Sequence, residues 1–233
     1  MNDIAAELSN SRIISAYRER TPGSADLAKE AGELVAEGGF KALKLRLGRE
    51  RLADDLTAIR EVRKAAGDDV KLMVDFNQGL TLGDALARCH ALDDEGLYWF
   101  EEPIVYDNLA GYAQLARELK TPVQLGENFY GPRVLYEAIR AEAGDYVMPD
   151  LMRIGGVSGW LHAAAVAGAA GVQVSSHLYP EVSAHLLRVT ETAHWWSGRI
   201  GSIRFCGSRT LSRTAALRFQ TGPAPVSNGT RAR

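Results

Sequence analysis

Residues 71–103, KLMVDFNQGLTLGDALARCHALDDEGLYWFEEP, hold one full repeat of the pattern that decides the fold. An apolar run, KLMVD, ends in a carboxylate, a helical stretch follows, and a second apolar run, LYWFE, ends in another carboxylate. Within the helical stretch Leu82, Ala85, Leu86, Cys89 and Leu92 recur at the three- and four-residue spacing of one buried helix face. The apolar runs between such stretches are too short for helices and read as strands buried on both sides.

Working outward, the unit recurs along most of the chain. The candidate strands are Ile13–Tyr17, Ala42–Leu47, Lys71–Asp75, Leu97–Glu101, Pro122–Gly126, Tyr146–Pro149, Val172–Ser176 and Thr192–Trp196. A helical pattern follows each of the first seven, as in residues 49–67, where Leu52, Leu56, Ile59 and Val62 mark the buried face. Gly38, Gly67, Gly96, Gly144 and Gly171 stand where helix C-caps are expected. Strands joined by helical crossovers pair in parallel, and a closed TIM-type (β/α)7β barrel uses all eight of them. A doubly wound open sheet is the alternative; no Gly-rich phosphate turn follows the first strand to favour it.

The 233 residues carry 27 basic and 29 acidic side chains, and this near-balance hides a split. From Ser197 to Arg233 there are seven Arg and no Lys, Asp or Glu, so the preceding body holds 20 basic against 29 acidic groups. Residues 1–12 read as a lead-in, 13–196 as one barrel domain, and 197–233 as an Arg-rich tail of disorder-prone composition. No apolar run reaches the roughly 20 residues that span a bilayer, and the N-terminus has no signal-peptide pattern, so a cytoplasmic protein is expected. Cys89 and Cys206 are too few for a disulfide framework, and the acidic body argues against nucleic acid as partner.

In a barrel of this type chemistry sits at the C-terminal ends of the strands. Those ends carry Lys44 and Arg46, Asp75 and Asn77, Glu101 and Glu102, Glu127, Asp150, and His177. Asp75, Glu101 and Glu127 follow one another at a spacing of 26 residues, which places them at equivalent points on three successive strands. Hard oxygen ligands crowded at one point repel unless a cation binds them, and three carboxylates completed by water suit Mg²⁺. His177 and Asp150 come from neighbouring strands, and a carboxylate beside an imidazole fixes its tautomer and raises its basicity. Lys44 and Arg46 alternate with Leu43, Leu45 and Leu47, so both cations enter the mouth if the leucines face the helices. Arg153, just beyond Asp150, is a candidate contact for a substrate carboxylate. Trp99, Trp160 and Trp195 read as packing residues, and His162 and His185 as structural helix residues.

The motifs KLRLG, MVDFNQ, WFEEP, QLGENFYGP, MPDLMRIGGVSGW and SSHLYPEVSAHLL, in this order, resemble the enolase superfamily, and within it the mandelate racemase/muconate lactonizing enzyme family. The resemblance runs from about Ile13 to Trp196. It implies the family's C-terminal barrel with Asp75, Glu101 and Glu127 as Mg²⁺ ligands and His177, oriented by Asp150, as the base at the substrate's α-carbon. It further implies Lys44 as a contact of the substrate carboxylate and Asn77 as a polar contact near the metal. The implied activity is abstraction of the α-proton of a 2-hydroxycarboxylate to give an enolate, leading to dehydration of an acid sugar or to racemisation. Association into homo-oligomers is also implied.

Three departures from the family pattern matter. The family's second motif Lys, an opposite-face base, is Arg46 here; a guanidinium stays protonated up to about pH 12, which favours one-base dehydration. Only a dozen residues precede the first strand, so the family's α+β capping domain is expected to be missing. The acid expected at the end of strand eight is Ser197, and resemblance ends there. The tail composition matches out-of-frame translation of G+C-rich DNA; a genuine basic tail is the alternative. These departures set a second functional reading beside the enzyme, a truncated and weakly active or inactive barrel fragment.

Overall fold

Eight strands and seven helices alternate along residues 12–16, 24–38 and 40–197, which are the residues the computed structural model describes. They are β1 (Arg12–Ala16), α1 (Ser24–Gly38), β2 (Ala42–Arg46), α2 (Leu52–Ala66), β3 (Lys71–Asp75), α3 (Leu82–Leu92), β4 (Phe100–Glu101) and α4 (Leu109–Glu118). There follow β5 (Val123–Leu125), α5 (Pro132–Arg140), β6 (Tyr146–Val147), α6 (Gly156–Ala169), β7 (Gln173–Val174), α7 (Pro180–Leu187) and β8 (Trp196–Ser197). Residues 1–11 and the stretch after Ser197, with the lead-in and tail readings that fall on them, lie outside the described residues. No helix among the described residues is long and apolar enough to cross a membrane.

All strand pairs are parallel, in the order β7-β6-β5-β4-β3-β2-β1-β8. The ring is closed by the segment leading into β8. Val174 N donates to Thr192 O at 2.8 Å, His194 N to Val174 O at 2.9 Å, and Ser176 N to Trp195 O at 2.9 Å. The run Thr192–Trp196, expected as the eighth strand, therefore divides: residues 192–195 pair with β7, while Trp196 and Ser197 pair with β1. Ser197 belongs to β8, where its N–H reaches Ser176 Oγ at 3.0 Å, although the sequence reading assigned it to the tail. Several strands are shorter than expected, yet backbone pairing extends past their ends, as between Tyr98 N and Leu72 O at 2.7 Å.

Two apolar layers hold the barrel. Leu43, Leu45, Leu47, Leu72, Val74 and Phe100 face outward and pack with Ala58, Ile59 and Val62 of α2 and Ala85, Cys89 and Leu92 of α3. Leu52 and Leu56 lie at the margin, because the α2 face is rotated so that Asp55 and Ala58 are buried instead. Inside the ring Ala42, Met73, Trp99 and Trp195 form a second cluster, bordered by Tyr98 and Tyr146. Strand alternation thus commits one face of β2 and β3 to the helices and sends Lys44, Met73 and Asp75 inward. Gly67 acts as the C-cap foreseen, at φ 88 with its N–H on Arg63 O at 2.9 Å. Gly144 serves a different need: a Cβ there would sit 2.5 Å from Leu125 Cδ2, so its role is close approach to β5.

His194 borders the inner cluster, with Nε2 2.7 Å from the Tyr98 hydroxyl and its ring 4.6 Å from that of Tyr146. Burial pushes its imidazole down to about 4. An unfolded chain protonates this group near pH 6.5, so between about 6.5 and 4 the unfolded state takes up a proton that the folded state does not. Stability should therefore fall as pH drops through this window, by at most ~3 kcal/mol from this residue. Urea midpoints measured from pH 7 to pH 4 test it: His194→Gln should lose part of the wild-type slope, and parallel curves would contradict the assignment.

Candidate active site and metal centre

The ends of β2, β3 and β4 deliver four charged groups to one point. Arg46 pairs in register with Asp75, and Asp75 with Glu101. Lys44 is buried, its ammonium bonded to Glu101 Oε1 and 3.5 Å from Asp75 Oδ2. Desolvation alone would lower the pKa of this ammonium, but the carboxylates of Glu101, Asp75 and Glu127 outweigh it and hold it well above the usual lysine range. Glu101 is fully buried, and its second oxygen accepts from Trp99 Nε1 at 3.1 Å. Burial drives the Glu101 carboxyl up, opposed by Lys44 and reinforced by Asp75 and Glu127. The Arg46 guanidinium is a third exposed and reaches to 3.6 Å from Asp75 Oδ2.

The third carboxylate arrives differently from the sequence expectation. Glu101 pairs with Gln124, so Glu127 lies three residues beyond the register partner of Glu101, in the loop after β5. Equal spacing in sequence is not equal register, because the connections differ in length: the register partners Asp75 and Glu101 are 26 residues apart, Glu101 and Gln124 only 23. The loop nonetheless brings Glu127 into the cluster: Asp75, Glu101 and Glu127, all buried, each offer one oxygen within 4.8 Å of the others. Asn77 assists from a left-handed turn after β3 (φ 45). Its N–H donates to Asp75 Oδ1 at 2.7 Å, and its side-chain amide lies 3.4 Å from Glu127 Oε1.

Across the mouth, Asp150 and His177 face each other as a bridge between the segments after β6 and β7. His177 Nδ1 is 2.9 Å from Asp150 Oδ2, while Asp150 Oδ1 accepts from the N–H groups of Met152 at 2.9 Å and Arg153 at 3.0 Å. Desolvation acts to raise the Asp150 carboxyl, but the bonds from His177, Arg153 and Met152 win and hold it below the ordinary range. With Nδ1 on Asp150, the other ring nitrogen, Nε2, faces the carboxylate cluster, 3.2 Å from Glu127 Oε2. Arg153, expected near a substrate carboxylate, places Nη1 on the main-chain oxygen of Glu127 at 2.9 Å and so ties the two loops together.

Two residues of this constellation carry more than the sequence reading gave them. Glu102, placed by the sequence at a strand end beside Glu101, is 1% exposed, and burial, with Glu127 nearby, raises its carboxyl to about 7. Asn128 was not singled out; its amide lies 2.7 Å from Glu102 Oε2. Trp99 is a packing residue as read, with the added task of holding Glu101.

The charge pattern fits a divalent cation. Three buried carboxylates with one intimate ammonium leave an excess of negative, hard oxygen donors, the ligand type of Mg²⁺.

A family model described as Enolase C-terminal domain-like matches residues 26–227, which includes sequence past Trp196. Among curated relatives, the L-talarate/galactarate dehydratase of Salmonella typhimurium is 34% identical over 159 residues, covering 68% of this chain and 40% of its own length. The L-Ala-D/L-Glu epimerase of Bacillus subtilis is 31% identical over 182 residues, covering 77% and 49%. The chain thus spans less than half the length of either relative. Among solved structures, an enolase from alpha proteobacterium bal199 with bound Mg superposes with a TM-score of 0.78 at 50% identity, over 84% of this chain and 58% of that one.

Proposed function

We propose, for a chain that belongs to the Enolase C-terminal domain-like family, Mg²⁺-dependent abstraction of the α-proton of a 2-hydroxycarboxylate, with dehydration of an acid sugar as the outcome. The observation that carries this reading is the pairing, across one mouth, of three clustered buried carboxylates with a His177 whose Nδ1 is tied to Asp150. Asp75, Glu101 and Glu127 would hold the cation. Bound there, it supplies positive charge that stabilises the negative charge developing on the substrate's oxygens.

The chain's own residues do the proton chemistry. Asp150 fixes the tautomer that leaves Nε2 of His177 unprotonated, so Nε2 takes the C2 proton and Asp150 stabilises the imidazolium that forms. Lys44, held charged by its carboxylate surroundings, would pair with the substrate carboxylate and with the negative charge that develops on it as the C2 proton leaves. The imidazolium then returns its proton to the hydroxyl leaving C3. Water departs, and the resulting enol tautomerises to a 2-keto acid. Arg46 lends positive charge on the opposite face and takes no proton at neutral pH. Asn77 and Arg153 support the carboxylates around this chemistry. A cytoplasmic enzyme acting on a small carboxylate and associated as a homo-oligomer completes the proposal.

Incubation with Mg²⁺ and a panel of sugar acids in D₂O, followed by NMR and a 2-keto acid assay, tests it. The expected result is α-proton exchange and keto acid formation with at least one acid. Metal binding with neither α-proton exchange nor keto acid formation for any acid would sink the enzymatic reading. A second expectation concerns stereochemistry. Wild type should exchange one C2 configuration only, whereas Arg46→Lys should gain exchange of the opposite one, by at least about tenfold over wild type, since a lysine restores a titratable base on that face. Equal exchange of both configurations by wild type would contradict the inert role of Arg46.

A further inference from the structure

The second carboxylate of the sequence WFEEP has no part in the proton chemistry, yet it is as buried as its neighbour. Its polar groups knit three segments of the mouth. Glu102 N donates to Gln124 O at 3.0 Å, and Glu102 O accepts from Gln78 N at 2.6 Å. The side chain reaches both residues flanking Glu127: Oε1 accepts from Gly126 N at 3.4 Å and Oε2 from Asn128 Nδ2 at 2.7 Å. The same Asn128 amide lies 3.5 Å from Glu127 Oε1, so one NH₂ group faces both carboxylates. Glu102 is held at φ 37, a left-handed conformation that a non-glycine residue keeps only where its surroundings over-determine it. Gly126 is equally constrained, since a Cβ there would approach Met148 N to 3.1 Å.

Glu127 sits outside any strand, so β-ladder bonds do not aim its carboxylate. We infer that Glu102 is the positioning residue for Glu127, clamping the 126–128 loop and, through Asn128, orienting the Glu127 carboxylate into the cluster with Asp75 and Glu101. Outer partners of this kind tune metal affinity by 10–100-fold in known sites. The inference rests on the metal reading of the cluster. It differs from a simple charge effect, in which Glu102 would attract a cation without any need of Asn128.

Mn²⁺ titration of the full chain, with free ion followed by EPR, separates these cases without any enzymatic readout. Glu102→Gln keeps the size of the side chain but offers only one acceptor for two donors. Asn128→Ala leaves Glu102 in place. Because the Asn128 bond opposes the rise of that buried carboxyl to about 7, the titrations are repeated well above neutral pH, so that loss of charge is told apart from loss of the linkage. Each variant is expected to weaken Mn²⁺ binding by about 10–100-fold. The double variant should lose little more than the weaker-binding single one, because both interrupt one linkage. Near-ultraviolet CD checks that each variant is folded, and the half-buried Asn128 site keeps the test available if Glu102→Gln fails to fold. Asn128→Ala binding within twofold of wild type would overturn the inference, whatever Glu102→Gln does. Absence of Mn²⁺ binding by wild type would overturn the metal reading itself, and this inference with it.

Discussion

His177→Asn should abolish deuterium incorporation at C2 of every acid that wild type exchanges, a fall of at least about 10²-fold. The asparagine amide can still donate to Asp150, so the bridge between the segments after β6 and β7 keeps its main polar link. What disappears is Nε2, the one nitrogen of the ring that is not committed to Asp150. Among the described residues no other neutral base stands at that point: Lys44 is held protonated by Glu101, Asp75 and Glu127, and a guanidinium is a poor base. The loss should therefore appear in the proton-transfer rate, with Mn²⁺ affinity changed only a few-fold. Exchange at an undiminished rate in the folded variant would remove His177 from the mechanism.

Glu101→Gln should produce the second large effect, on metal and fold together. Glu101 is fully buried, and its oxygens already serve Lys44 and Trp99. Replacing it removes one of three charged ligand donors and the nearest counter-ion of a buried ammonium. The ligand loss should weaken Mn²⁺ binding by more than about 100-fold, beyond what an outer partner such as Glu102 commands. Breaking a buried ion pair from one side costs about 3–5 kcal/mol in comparable sites, which thermal melts should register as a clear drop. Lys44→Met combined with Glu101→Gln should recover part of that stability while leaving metal binding lost, because the buried ammonium stripped of its nearest counter-ion is then gone while Asp75 keeps Arg46 as a partner. A melt and a Mn²⁺ titration that match wild type would mean the cluster is neither the metal site nor a strained pair.

Much of this arrangement is legible in the sequence because local periodicity dictates it. KLMVD is read to the residue as β3, and the alternation in ALKLR turns Lys44 inward as soon as its leucines face the helices. The carboxylates that end β3 and β4 are readable for the same reason. What escapes depends on pairing between distant segments. The three residues by which Glu127 overshoots its register partner follow from how the β4–β5 connection pairs back onto β4, and a count of 26 cannot carry that. Arg153 on the Glu127 carbonyl and Glu102 on Asn128 are bonds between loops of different strands, with no periodic signature. Asn128, in the stretch GEN, likewise carries no periodic signal, although it is what Glu102 holds. Gly144 looks like a helix cap in sequence and proves to be a packing contact with β5. Ser197 shows a related limit: composition changes there, but the hydrogen bonding of β8 runs through it.

Asp75, Glu101 and Glu127 are proposed to form one divalent-cation site facing His177. Crystals grown with Mn²⁺ and measured for its anomalous signal test this directly. A single strong peak is expected in contact with an oxygen of each of the three carboxylates, with Lys44 still inside the mouth. A peak elsewhere, or none at saturating Mn²⁺, would contradict it.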